Sequence, residues 1–472
     1  MTVVSPTSVI REALNNRADR ALSALEARTC HSWKMSLDRT NVLPRTEDFV
    51  GNPAFHLYIR EGLGARVADL DGNCFIDLSM GFGAQLLGHG VQSVQDAVVA
   101  QAARGWHFGV VNEKQLELAR LIQAASAANE RVVFCNSGCD ATAYAMRAAR
   151  AFTGRDLIAV FSGSSHGTHD YGLAGEEVRR QMPEPEESGA LFARPWNRRP
   201  QRHPGIPQSV MDASVSLTYG HASAFDQLRR RRRELAAVIV EPVRALDPSF
   251  EHAKWLNELA NVCGETGILL IFDERLTGFR LAYGGAQERF GVMADLVAYG
   301  ENIGGGLPLG AVAGRADVLG SIAGRESLAR TLTERGTSGS MLSIAAGAST
   351  LEQLSTRRTT LYPALAEKGR LLAETFNSFA EQNDMPARLR IAGSIFRIQF
   401  RRPTHAASGR SGYPAAEAAF YALALSKGVL VHASRLAFLS AAHTASDVNQ
   451  VAGIFQGALT DVKNDGLFNP KA

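Results

Sequence analysis

Cysteine is scarce. The chain has five, Cys30, Cys74, Cys135, Cys139 and Cys263. They are odd in number and scattered, which argues against a disulfide framework or a zinc site and favours a reducing compartment. No metal is expected. Charge of one sign is also in short supply: the net charge is +3 over 472 residues, too little to imply nucleic acid as a partner. The one concentrated run, Arg229 to Arg233, reads as a solvated helix face. No apolar run approaches the length of a membrane span, and no signal peptide is evident, so a cytoplasmic, membrane-free protein is expected. Internal repeats and low-complexity tracts are missing too. What remains is an ordinary enzyme composition, 45% apolar and 21% charged, in a chain long enough for roughly two or three subdomains.

Residues 268–272 are continuously apolar and short, the pattern of a strand buried on both faces. The run ends in Asp273 and Glu274. In an open α/β sheet, ligands bind where strands end. Residues 296–299 read as a second such strand, ending at Gly300-Glu301. Three glycines and Pro308 follow, a backbone that must turn tightly. Residues 131–135 form a strand leading to Asn136-Ser-Gly-Cys-Asp140 and an alanine-rich helix, whose first amides suit a phosphate. Residues 156–160 lead to Ser162-Gly-Ser-Ser-His-Gly167, and residues 238–240 lead to Glu241-Pro-Val243. Residues 65–77 read as a hairpin turning at Asp71-Gly72-Asn73. Residues 391–400 alternate as one half-buried strand, and residues 428–432 and 437–440 supply more. Residues 1–30 read as a helical arm, and residues 176–212, rich in Pro, Arg and Glu, as a surface insertion or lid.

Asp273-Glu-Arg-Leu-Thr-Gly-Phe-Arg280, then Gly284-Gly-Ala-Gln287, then Gly300-Glu-Asn-Ile-Gly-Gly-Gly-Leu-Pro308 resemble the class III aminotransferases that use pyridoxal phosphate (PLP). The pattern is most similar to the glutamate-1-semialdehyde aminomutase group. The resemblance implies PLP fold type I, an α/β architecture. A large domain carries a mostly parallel seven-stranded sheet, and a smaller C-terminal α/β domain accompanies it. The expected division is residues 1–85 as arm and hairpin, 86–340 as the large domain and 341–472 as the small one. It also implies a small-molecule substrate and a homodimer with the active site at the subunit interface.

The departures matter most. In the family, the residue after the glycine at position 300 is the lysine that holds PLP as a Schiff base; here it is Glu301. The aromatic residue that covers the ring is replaced by Ser165. A phosphate-gripping threonine becomes Cys139, and a second shifts by one place to Thr337. Ser137 and Gly138 are kept, as are Asp273, the partner of the pyridinium nitrogen, His166 and Glu241. The apolar residue that packs on the ring becomes Arg275, which would collide with it. Arg275 and Glu301 are expected to face each other as an ion pair in the vacated pocket, since a buried unpaired charge is costly.

The expectation is therefore a repurposed enzyme with no cofactor. Glu301, Asp273, His166 and Arg275 form its catalytic set, and Ser137, Gly138, Cys139, Ser165, Glu241 and Thr337 line a vestigial pocket or substrate site. Such a set suits dehydration, cyclisation or condensation of a small amino or carbonyl compound. Two alternatives stand beside it. One is an aminotransferase- or aminomutase-like enzyme that binds PLP or pyridoxamine phosphate (PMP) non-covalently, with Glu301 moving the proton. The other is a non-catalytic partner protein.

Overall fold

Short apolar runs become strands wherever a turn residue bounds them. A computed structural model describes residues 57–174, 205–323, 339–401 and 412–468, with Arg20. The described strands are β1 (Ile59–Leu63), β2 (Arg66–Asp69), β3 (Cys74–Asp77), β4 (Arg131–Cys135), β5 (Leu157–Phe161), β6 (Ser214–Leu217), β7 (Leu235–Val240), β8 (Leu269–Glu274), β9 (Leu296–Tyr299), β10 (Gly310–Gly314), β11 (Ala387–Ala392), β12 (Ile395–Phe400), β13 (Val429–Leu430) and β14 (Leu436–Phe438).

Two compact units divide the chain. One comprises Met1–Val91, Leu246–Pro248 and Pro363–Ala472; the other comprises Gln92–Ala245 and Ser249–Tyr362.

The second unit is built on a seven-stranded sheet of order β4-β10-β9-β8-β7-β5-β6. The pairs β9–β8, β8–β7, β7–β5 and β5–β6 are parallel, and β10 runs antiparallel to both its neighbours. β7, β8 and β9 are buried along their whole length. This explains their unbroken apolar runs: with both faces covered, alternation has no purpose. Helix Gly138–Thr153 packs its alanines against the sheet in a core with Ile158, Ile239, Ile271 and Val312. Gly310 lies opposite Cys135 in the sheet, and a Cβ there would run into the Ser137 carbonyl. Because β4, β5, β7, β8 and β9 point the same way, their carboxyl ends share one edge.

The first unit holds a four-stranded sheet, β1-β2-β3-β13, and a three-stranded one, β11-β12-β14. The hairpin expected at residues 65–77 is β2 and β3, turning at Gly72 with φ +83°. The single strand expected over residues 391–400 is instead the hairpin β11–β12, reversing at Gly393 with φ +62°. Apolar alternation persists on both sides of that glycine, so periodicity alone does not reveal the turn. Of the arginine run, Arg229 pairs with Glu265 and Arg231 with Glu234 at the surface, as a solvated face requires. Among the described residues, no helix is long and apolar enough to cross a membrane, and no cluster of three or more metal-ligating side chains occurs.

Candidate active site

Asp273, at the end of β8, is the hub of the sheet's carboxyl edge. Its side chain is 2% exposed. Arg275 donates from Nε to its Oδ1 at 2.9 Å and from Nη2 to its Oδ2 at 2.9 Å. His166 Nδ1 lies 2.8 Å from Oδ2; an ionised carboxylate only accepts, so Nδ1 is the donor. Burial alone would push the Asp273 carboxyl up. The Arg275 charge and the His166 hydrogen bond outweigh it and hold the group well below the usual carboxylate range. Arg275 is correspondingly held above its ordinary value: burial opposes its charge, and the Asp273 carboxylate overcomes that opposition.

The expected ion pair between Arg275 and Glu301 is not formed. Glu301 is exposed, at the head of a one-turn 3₁₀ helix, Glu301–Gly304. Arg275 folds back onto the carboxylate two residues before it, and Nη2 also donates to the Ser165 carbonyl. The reason is solvation. Asp273 is nearly dry and needs a cation, whereas Glu301 keeps its water and needs none.

Around this pair stand the other expected residues. Helix Gly138–Thr153 starts at Ser137, whose hydroxyl accepts from the Asp140 amide and donates to the Asp140 carboxylate. The helix therefore has its N-cap, and its first amides remain available at the edge. Gly138 is buried beneath Arg275: a Cβ on it would lie 2.8 Å from Arg275 Cγ and Cδ and 3.0 Å from Gly300 Cα. Cys139 is half-buried beside Gly167. Ser165 takes part through its carbonyl rather than its hydroxyl. Glu241, just past β7, is buried, and that burial pushes its carboxyl up, with the His166 charge opposing. Thr337 lies outside the described residues.

His166 is fully buried, and among the described residues its Nε2 has no hydrogen-bond partner. Sequence reasoning passed over its neighbour His169. The Gly172 amide donates to His169 Nδ1, leaving Nε2 to face Thr142 Oγ1 at 3.1 Å. Thr142 Oγ1 in turn donates to the His166 carbonyl. Burial, reinforced by the Arg275 charge, lowers His169 to about 4, so it is neutral. Its signal was present in the sequence: a second histidine three residues on in the same glycine- and serine-rich loop. Arg244 was also missed. It donates to the Ser162 carbonyl at 2.9 Å and lies over the Tyr219 ring.

The chain matches the aminotransferase class-III family over residues 49–452. It belongs to the class III aminotransferases. Among curated class III-like relatives, it is 35% identical over 406 residues to a glutamate-1-semialdehyde 2,1-aminomutase of Persephonella marina, covering 84% of this chain and 89% of that one. Among solved structures it is similar to an omega-transaminase from Sphaerobacter thermophilus (TM-score 0.80, 27% identity, 92% of this chain and 98% of that one). It also superposes on a lysine-to-alanine variant of a glutamate-1-semialdehyde-aminomutase from Pseudomonas aeruginosa in complex with PMP (TM-score 0.79, 20% identity, 97% and 98%).

PLP fold type I, with its mostly parallel seven-stranded sheet, is thus the fold of this class III chain. Solved proteins of the fold hold PLP or PMP, which overturns the expectation of a site without cofactor. The residues present fit such a group at two of its ends. The capped helix start at Ser137-Gly138-Cys139 suits the phosphate, and Asp273 with its His166 support suits the ring nitrogen once Arg275 is displaced from it. Among the described lysines, Lys114, Lys368, Lys427 and Lys463 are engaged elsewhere and Lys254 is exposed; none hydrogen-bonds to this cluster.

Proposed function

We propose that this chain is a class III aminotransferase-fold enzyme that holds PMP, or PLP, without a covalent link and acts on a small amino or carbonyl compound, with Glu301 in the proton-transfer role of the family's lysine. The observation that carries the reading is the position of Gly300. Its Cα packs beside Gly138, and a Cβ on it would lie 3.2 Å from Arg275 Cβ. Glu301 follows directly on this contact and is exposed. Bound in the Asp273 pocket, PMP supplies an amino group and a ring that stabilises negative charge at the adjoining carbon.

The chain's own residues do the rest. The amides after Ser137 would bind the phosphate. Asp273, oriented by His166, would accept the hydrogen bond of the ring N–H and so keep that nitrogen protonated. Glu301, exposed at the head of its turn, would be the chain's own group for moving a proton there. Glu241, buried just past β7, would be the second carboxyl group available to exchange a proton with a substrate oxygen. The aminomutase relative supports a small carboxylate-bearing substrate. A homodimer is also proposed: Trp106, Val110, Val111 and Leu116 form an exposed apolar stretch, the kind of surface that a second copy covers.

The test is a titration of the purified chain with PMP and PLP, followed by borohydride reduction. Saturable PMP binding with nothing fixed to the chain is expected. Glu301→Ala should bind PMP within about threefold of wild type and lose amino transfer by ~10²-fold or more. A cofactor fixed to the wild-type chain by borohydride, or full activity in Glu301→Ala, would overturn the reading.

A further inference from the structure

We propose that Arg275 is a tethered competitor for the cofactor's ring, so that the cofactor is an exchangeable cosubstrate here rather than a resident group. The inference rests on the reading that PMP binds at Asp273.

The geometry of the arm carries it. Asp273 Oδ1 accepts from the Arg275 amide at 3.2 Å and from Nε at 2.9 Å; Oδ2 accepts from Nε at 3.1 Å, Nη2 at 2.9 Å and His166 at 2.8 Å. A carboxylate offers about four lone-pair sites. Asp273 is therefore saturated, and no acceptor is left for a ring N–H. The stem of the arm blocks the other end. Arg275 Cγ and Cδ occupy the space above Gly138 that a side chain there would need, next to the amides suited to the phosphate. One arginine thus lies across both remaining anchors, in a site where no lysine supplies the third.

The tip of the arm reaches solvent. Its side chain is 21% exposed, and among the described residues Nη1 makes no hydrogen bond. When it swings out, Asp273 keeps the His166 hydrogen bond, and the ring N–H takes the place of the guanidinium as its charged partner. A ligand that binds only the open state has its apparent affinity reduced by the open fraction.

Removing the guanidinium should therefore raise affinity for the cofactor. PMP is titrated into full-length wild type, Arg275→Val and Arg275→Met, following its own fluorescence, with each protein's fold checked by circular dichroism. Both variants should bind PMP at least ~10-fold more tightly than wild type, and the wild-type complex should lose its PMP on dialysis. Arg275→Met, which keeps most of the stem, carries the comparison if the valine variant does not fold. Equal affinity in wild type and a folded variant would overturn the competitor while leaving the proposed function intact. No PMP binding by any folded form would overturn the proposed function itself.

Discussion

Arg275 and Asp273, two residues apart at the end of β8, hold each other through both carboxylate oxygens in a pocket where Asp273 is 2% exposed. Cutting this pair from one side leaves an uncompensated charge. Asp273→Asn should cost about 3 kcal/mol of unfolding free energy, read by urea denaturation. Asp273→Asn with Arg275→Met should recover part of that loss, because the stranded cation is gone. If the double variant is as unstable as the sum of the two singles, the residues are not coupled.

Glu274 points the other way from Asp273 in its chemistry. Its Oε2 accepts from the Ala286 amide and Thr277 hydroxyl, while burial pushes the carboxyl from 4.5 up to about 7. A carboxyl raised in the fold stabilises fully below pH 4.5, and that contribution is lost as pH rises through 7. Wild type should therefore lose up to about 3 kcal/mol relative to Glu274→Gln between pH 5 and pH 8. The comparison cancels His169 and His443, whose lowered values act in the opposite sense. Parallel pH profiles for the two proteins would remove Glu274 as the titrating group.

Trp106 is 58% exposed, Val110 76% and Val111 75%, too much apolar surface to leave in water without purpose. Light scattering after size exclusion should give twice the chain mass. Val110→Asp with Val111→Asp should give the single mass with an unchanged circular dichroism spectrum. A wild-type monomer at micromolar concentration would reject the homodimer.

The strands were legible because burial on both faces writes itself as unbroken apolar runs: residues 296–299 were read with β9's own bounds, and residues 268–272 fall one residue from β8 at the start and two at the end. The β11–β12 hairpin was not, since Gly393 interrupts the chain without interrupting the alternation. In the site, Asp273, His166 and Arg275 were legible as sharing one cleft, and they do meet, but the partner of Arg275 was not. Resemblance placed Glu301 on a neighbouring strand end. Which carboxylate pulls an arginine depends on which of them is dry, and dryness is a property of the folded edge. His169 went unnoticed for a related reason: its place three residues after His166 is visible, but its brace on Thr142, 27 residues back, exists only in the fold.

The close approach of Gly310 to the Ser137 carbonyl bears on how such a site changes over time. Even a methyl group on that strand would lift the loop that opens helix Gly138–Thr153, so the framework at this edge is frozen by steric necessity. Variation is then channelled into the side chains that project from it. A lineage on this scaffold can exchange the groups that meet the ligand, arginine for an aliphatic or glutamate for lysine, long before it can move the floor they stand on.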